Sequence, residues 1–179
     1  FNFDLDVKPQ YNALAEDIGV GTAPEWHPPD DDLFGETTNE EYPLLFTDLF
    51  VEQFSRGHCQ AISQSREAYA ERFGHEDKDY RGNYLHINPK DAAERGIEDG
   101  DWIRVTSADD EIELMANLWE GVRPGWVGTE NGFGVGSDHP DEEGANSMIL
   151  NKERHVEPTT GMTARNHPVE VERLGGEPQ

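Results

Sequence analysis

The stretch INPKDAAERGIEDGDWIRVTS, from Ile87 to Ser107, restricts what this chain can fold into more than any other segment. Asn88 is a natural helix N-cap, Pro89 suits the first helical position because its φ is already near the helical value, and Asp91 meets the positive end of the helix dipole. Gly96 ends that helix after about two turns. Ile97 then closes over a core, EDGD turns the chain, and WIRVTS reads as a strand with Ile103 and Val105 inward. After ADDE, IELMANLWE returns as a second strand with Ile112, Leu114, Ala116 and Leu118 on one face, so the two strands are expected to form a hairpin. Nothing in the segment is arranged for chemistry; it reads as scaffold.

The flanking segments extend the pattern. EYPLLFTDLFVEQF begins with a short strand whose two faces are both apolar, as a central strand requires. Gln60 to Phe73 carries Ile62, Ala68, Tyr69 and Phe73 at mixed helical spacings, with Gly74 where a helix cap belongs. NYLHIN is a strand with Tyr84 and His86 on one face and Leu85 and Ile87 on the other. GVRPGWVGTENGFGVGS holds a turn at Pro124 and Gly125, a short strand, and a glycine-rich run that lets backbone approach a ligand closely. The count gives a mainly β fold with two or three short helices, and a barrel fits it better than a doubly wound sheet.

A chain of 179 residues suits one domain with an appended arm. Pro24, Pro28, Pro29 and the run Asp30 to Asp32 mark a linker, so residues 1–40 read as an extended arm, 41–174 as the domain and 175–179 as a tail. The chain opens on Phe1 without a Met, which reads as a fragment or mature segment of something longer. Asp and Glu number 38 against 14 Lys and Arg, a formal net charge of −24 that repels nucleic-acid phosphates and anionic membrane surfaces. No apolar run reaches the roughly 20 residues needed to span a bilayer, so no direct membrane insertion is expected. Carboxylates spread through every segment and basic residues that are mostly Arg match a surface adapted to high salt, as in a halophile. Cys59 is the only cysteine, which excludes an internal disulfide, a thiolate-rich zinc site and an iron-sulfur cluster held by this chain alone. Calcium-loop spacing is absent from both acidic runs, and the seven histidines form no HExxH pair. No GxSxG elbow or P-loop is present, so no catalytic constellation and no metal site is assigned.

Taken in order, YPLLFTDLF, INPKDAAERGIEDGDWIRVTS, GVRPGWVGTENGFG, GANSMI and EPTTGMTARNHPVEVERL resemble the C-terminal molybdopterin-dinucleotide-binding domain of the dimethyl-sulfoxide-reductase family of molybdopterin oxidoreductases. The resemblance runs from about Tyr42 to Leu174. It implies a six-stranded double-psi β-barrel of the aspartate-decarboxylase-like kind. It also implies a molybdopterin guanine dinucleotide cofactor whose molybdenum or tungsten, and an iron-sulfur cluster, are held by other domains. The chain would then be a cofactor-clamping part of an oxidoreductase, its partners being the preceding domains of the same enzyme and an iron-sulfur electron-transfer subunit. The GVRPGWVGTENGFG and EPTTGM details look most like members acting on sulfur or arsenic compounds.

A dinucleotide pterin offers a diphosphate, hydroxyls and hydrogen-bonding heterocycles, and candidates follow from that chemistry. The resemblance places the loop after the first strand on the cofactor, starting with Thr47, although the usual TGR is here Thr47, Asp48 and Leu49. Ser55, Arg56, Gly57 and His58 form a polar, flexible cluster in which Arg56 suits a phosphate and His58 a pterin edge. Gly132 and Phe133 in TENGFG, Asn146 in GANSMI and Arg165 before the last strand complete the set. The competing readings are a solvated Arg56 and surface His58, a core Phe133, a turn-forming Asn146 and a salt-bridged Arg165. At the level of the whole chain, the alternatives are a non-catalytic double-psi barrel that binds proteins, or a small subunit of a formylmethanofuran-dehydrogenase-like complex.

Overall fold

A computed structural model describes residues 38–49, 51–54, 62–134, 144–150 and 166–176. Most of the expected arm, together with the end of the tail, lies outside these residues. Six strands are described: β1 (Leu44–Leu49), β2 (Tyr84–Ile87), β3 (Trp102–Thr106), β4 (Glu111–Leu118), β5 (Trp126–Glu130) and β6 (His167–Arg173). They close into one barrel in the order β1-β5-β2-β4-β3-β6. Closure leaves no unpaired edge. The pairs β1/β5 and β2/β4 are parallel and the other four are antiparallel. Exchanging β1, β2 and β3 for β4, β5 and β6 reproduces every pairing with its direction, so the barrel has the internal two-fold of the double-psi arrangement.

Alternation along each strand fills the barrel. Phe46, Leu85, Ile87, Ile103, Val105, Leu114, Val127 and Val169 all point inward and are buried. The hairpin forms as its pattern predicts, with Ile103 opposite Leu114 and Val105 opposite Ile112.

Helix α1 (Ser63–Arg72) and helix α2 (Pro89–Glu94) are accompanied by a 3-10 turn at Ser147–Leu150. Asn88 caps α2, its side chain accepting from Lys90 N at 3.0 Å. Its amide also donates to Val122 O at 2.7 Å, which ties the helix to the β4–β5 connection. Asp91 does more than face the dipole, since its carboxylate accepts the Gly125 N–H at 2.8 Å and fixes the turn before β5. Gly96 takes φ +65°, a left-handed conformation suited to ending a helix.

Helix α1 is shorter than the expected Gln60–Phe73, and of the four expected apolar positions Tyr69 is buried and Phe73 packs beside it. Ile62 is its N-cap and is exposed, as is Ala68, while Arg66, Tyr69 and Ala70 are buried at helical spacing. The helix packs on the outside of the barrel wall, where Phe54, Tyr69, Tyr80, Tyr84, Met115 and Phe133 form a second apolar cluster. An aromatic outer layer, which an apolar-count reading of the helix does not reveal, selects that face. Tyr69 and Tyr84 stack with ring centroids 5.0 Å apart.

Candidate functional site

Strand directions decide which loops meet. Because β1, β3 and β5 end at the same rim from which β2, β4 and β6 start, the segments after β1, after β5, before β2 and before β6 all attach there. Candidates far apart in sequence are thereby tied to one end of the barrel.

Asn83, fully buried just before β2, holds this rim together. Its amide donates to Thr129 Oγ1 (2.9 Å), Glu130 O (3.1 Å) and Ala145 O (3.2 Å), and its Oδ1 accepts from Ala145 N (2.9 Å). One side chain thus anchors the GAN segment to the end of β5. Gly134, at φ +64°, lies so close to this segment that a Cβ there would sit 2.6 Å from Asn146 N. Phe133 is buried edge-on to Phe54, with centroids 5.3 Å apart, and the Arg66 guanidinium lies 5.8 Å from the Phe133 ring centre.

Of the expected site residues, the structure gathers Gly132, Phe133 and Asn146 at this rim. Phe133 belongs to the aromatic cluster, and Asn146 accepts from Met148 N at 3.1 Å, capping the 3-10 turn. Thr47 is not in a loop: it lies within β1 opposite Gly128, on the strand face away from Leu44 and Phe46. The cause is close parallel pairing, in which Gly128 admits Thr47 O to 2.5 Å from where a Cβ would stand, so β1 continues to Leu49. Ser55, Arg56, Gly57, His58 and Arg165 lie outside the described residues. Two polar atoms at the rim, Gln53 Oε1 and Ser147 Oγ, are buried without a hydrogen-bond partner among the described residues. Such atoms cost free energy unless a ligand or water meets them. With the close glycine backbone, they fit a ligand rich in donors and acceptors. A cavity of about 610 Å³ lies elsewhere, where β3 begins and β6 ends, between Lys78, Trp102 and the Arg173–Asp101 ion pair.

Behind the rim lies a buried polar chain. Glu130, His86 and Tyr69 are 2% exposed or less. His86 Nε2 is 2.9 Å from Glu130 Oε1, and Tyr69 OH donates to Glu130 Oε2. On the other side, Asn117 Nδ2 is 2.8 Å from His86 Nδ1, and Asn117 Oδ1 is 3.1 Å from His75 Nε2. An amide nitrogen only donates and an amide oxygen only accepts, so His86 carries its proton on Nε2 and donates to Glu130, while His75 Nε2 donates to Asn117. Burial, and then the Glu130 carboxylate, push the Tyr69 hydroxyl well above its ordinary pKa, so it stays a donor. Sequence reasoning passed over Asn83, Arg66, His86 and Glu130. The available signal was alternation: His86 and Asn117 fall on outward strand positions, each with an aromatic residue two positions away, Tyr84 and Trp119.

The family described as Molydopterin dinucleotide binding domain matches residues 55–169. The chain belongs to this family. Its relatives include ArrA of Chrysiogenes arsenatis, the molybdopterin-containing subunit of an arsenate respiratory reductase, 54% identical over 43 residues, which are 24% of this chain and 5% of that protein. The corresponding ArrA of Shewanella sp. (strain ANA-3) is 36% identical over 95 residues, 52% of this chain and 10% of that protein. A putative dimethyl sulfoxide reductase catalytic subunit of Halobacterium salinarum is 31% identical over 94 residues, again 52% and 10%. The matched part is a tenth or less of each relative's length. Among solved structures, acetylene hydratase from Pelobacter acetylenicus superposes over 92% of this chain and 23% of its own, with a TM-score of 0.65 at 16% identity. That likeness bears out the fold: a mainly β, closed six-stranded barrel with few short helices.

Proposed function

We propose that the rim binds a pterin guanine dinucleotide as the cofactor clamp of a larger molybdenum or tungsten oxidoreductase, whose metal ligand and iron-sulfur cluster reside in other domains. The observation that carries this is the meeting of the β5 end, the Phe54 segment and the Gly144–Ser147 turn around buried polar atoms that have no partner among the described residues. Asn146, Ser147 and Gln53 would meet polar edges of the cofactor, and Phe133 with Arg66 would back them. The polar segment Ser55, Arg56, Gly57 and His58, continuing from the Phe54 end, and Arg165, shortly before β6, complete the proposed contacts. The cofactor, when bound, supplies the redox chemistry, while this chain binds and orients it.

For substrate we propose an arsenic or sulfur oxyanion. Two ArrA relatives, one 54% identical across its matched stretch, support an arsenic oxyanion, and the dimethyl sulfoxide reductase relative supplies the competing neutral substrate that the test separates from it. An iron-sulfur subunit would deliver the electrons, and a halophilic source would account for the acidity. The test is reduction of arsenate, tetrathionate and dimethyl sulfoxide by the full-length protein with a viologen donor. Turnover of arsenate or tetrathionate supports the assignment, and turnover of dimethyl sulfoxide alone overturns it.

A further inference from the structure

Gly144 and Ala145 cross the rim outside any strand or helix and lead directly into Asn146 and Ser147. What seats them is the Asn83 side chain. Its Oδ1 accepts from Ala145 N at 2.9 Å, and its Nδ2 donates to Ala145 O at 3.2 Å. Residues in a hydrogen-bonded pair of an antiparallel ladder exchange both bonds in the same way, so one side-chain amide here takes the place of a backbone peptide. The same Nδ2 reaches Thr129 Oγ1 and Glu130 O, which fastens the amide to the end of β5.

Asn83 is itself fixed. It is fully buried, and the Tyr80 hydroxyl donates to its backbone carbonyl at 2.8 Å. The two segments also approach closely: a Cβ on Gly82 would stand 2.6 Å from Gly144 Cα, and one on Gly144 would stand 2.8 Å from both Asn83 Oδ1 and the Phe133 ring. That close approach lets a short amide reach both backbone groups of Ala145. Asn83 is the hydrogen-bond partner of Ala145 on both sides, whereas the Ser147 hydroxyl, two residues on, is buried without a partner among the described residues. The oxygen and the nitrogen of the Asn83 amide are both engaged inside the chain, so its influence on a ligand passes through the residues it holds.

We propose that Asn83 is the positioning residue of the rim, holding Ala145 by both of its backbone groups and so presetting the polar edge that Asn146 and Ser147 offer to the cofactor. Its consequence rests on the cofactor-binding reading, but the grip itself is measured without cofactor. In amide hydrogen exchange of the chain alone, the Ala145 amide is protected in the wild type and exchanges about tenfold or more faster in Asn83→Ala, the scale of one lost hydrogen bond. The Asn146 and Ser147 amide resonances move with it. Asn88→Ala, which destabilises the chain at the far end of β2, leaves those resonances in place. Binding of pterin guanine dinucleotide then forms a double-mutant cycle. Asn83→Ala weakens it about tenfold or more, and adding Asn146→Ala to that variant weakens it further by less than about threefold, because the two act through one contact. Thr129→Val removes one of the two β5 acceptors of the Asn83 amide; it serves if Asn83→Ala fails to fold, and moves Ala145 exchange and pterin affinity in the same direction. An unprotected Ala145 amide in the wild type, rim resonances or pterin affinity indifferent to the substitution, or full additivity in the cycle would each overturn the proposal. A chain that shows the exchange pattern but binds no pterin in any form supports the grip and removes only the cofactor-binding reading.

Discussion

His167 opens β6 with its ring 4.9 Å from that of Phe46, and neither ring nitrogen has a hydrogen-bond partner among the described residues. Burial lowers its pKa to about 4 from 6.5, with the Asp109 carboxylate opposing part of the shift. The folded state therefore holds a neutral imidazole, while the unfolded chain takes up a proton below pH 6.5. Between about pH 6.5 and 4 the unfolded state binds more protons, so stability falls as the pH is lowered through that window, by on the order of 3 kcal/mol in total. Replacing the ring with one that cannot ionise, His167→Phe, should flatten this part of the profile. Urea unfolding at pH 7 and pH 4.5 measures it: the variant should lose less stability than the wild type between the two. An equal loss would show that other groups set the acid sensitivity.

At the scale of elements, α2 should depend on its cap. Asn88→Ala removes both the bond to Lys90 N and the tie to Val122 O, and should cost about 2 kcal/mol. Thermal unfolding would show a lower midpoint, with the rim and its ligand affinity unchanged because α2 follows the opposite end of β2. This helix was legible in the sequence because capping chemistry is local: Asn88, Pro89, Asp91 and Gly96 each act within one turn. The hairpin was legible for the same reason, through strict alternation in Ile103, Val105, Ile112 and Leu114. Helix α1 was less so, since its buried face includes Arg66 and is chosen by the aromatic layer beneath it. The place of Thr47 within a strand, and not in a loop, was hidden for a related reason, as only the parallel β5 strand and the absent side chain of Gly128 extend β1 past it. At the rim, Phe133 and Asn146 stood out by motif. Asn83, His86 and Glu130 did not, because an isolated amide, imidazole or carboxylate on or beside a strand looks solvent-facing until distant partners arrive through the barrel closure.

At the scale of the whole molecule, a net charge of −24 on 179 residues means strong self-repulsion at low salt. Since the Debye length shrinks from about 10 Å at 0.1 M to about 3 Å at 1 M, adding KCl should raise the unfolding midpoint steadily. A midpoint indifferent to KCl would argue against a salt-adapted surface. On the proposed reading, a six-stranded barrel presents one rim to a pterin dinucleotide, with sequence-distant loops converging there because of strand direction. The most direct test of that reading is binding of purified pterin guanine dinucleotide to the chain, with bound pterin released, oxidised and quantified by fluorescence. The expected result is retention near one equivalent by the wild type, retention kept in Asn88→Ala, and affinity about tenfold weaker in Asn146→Ala, the loss of one good hydrogen bond. No retention by the wild type, or equal retention by Asn146→Ala, would contradict it.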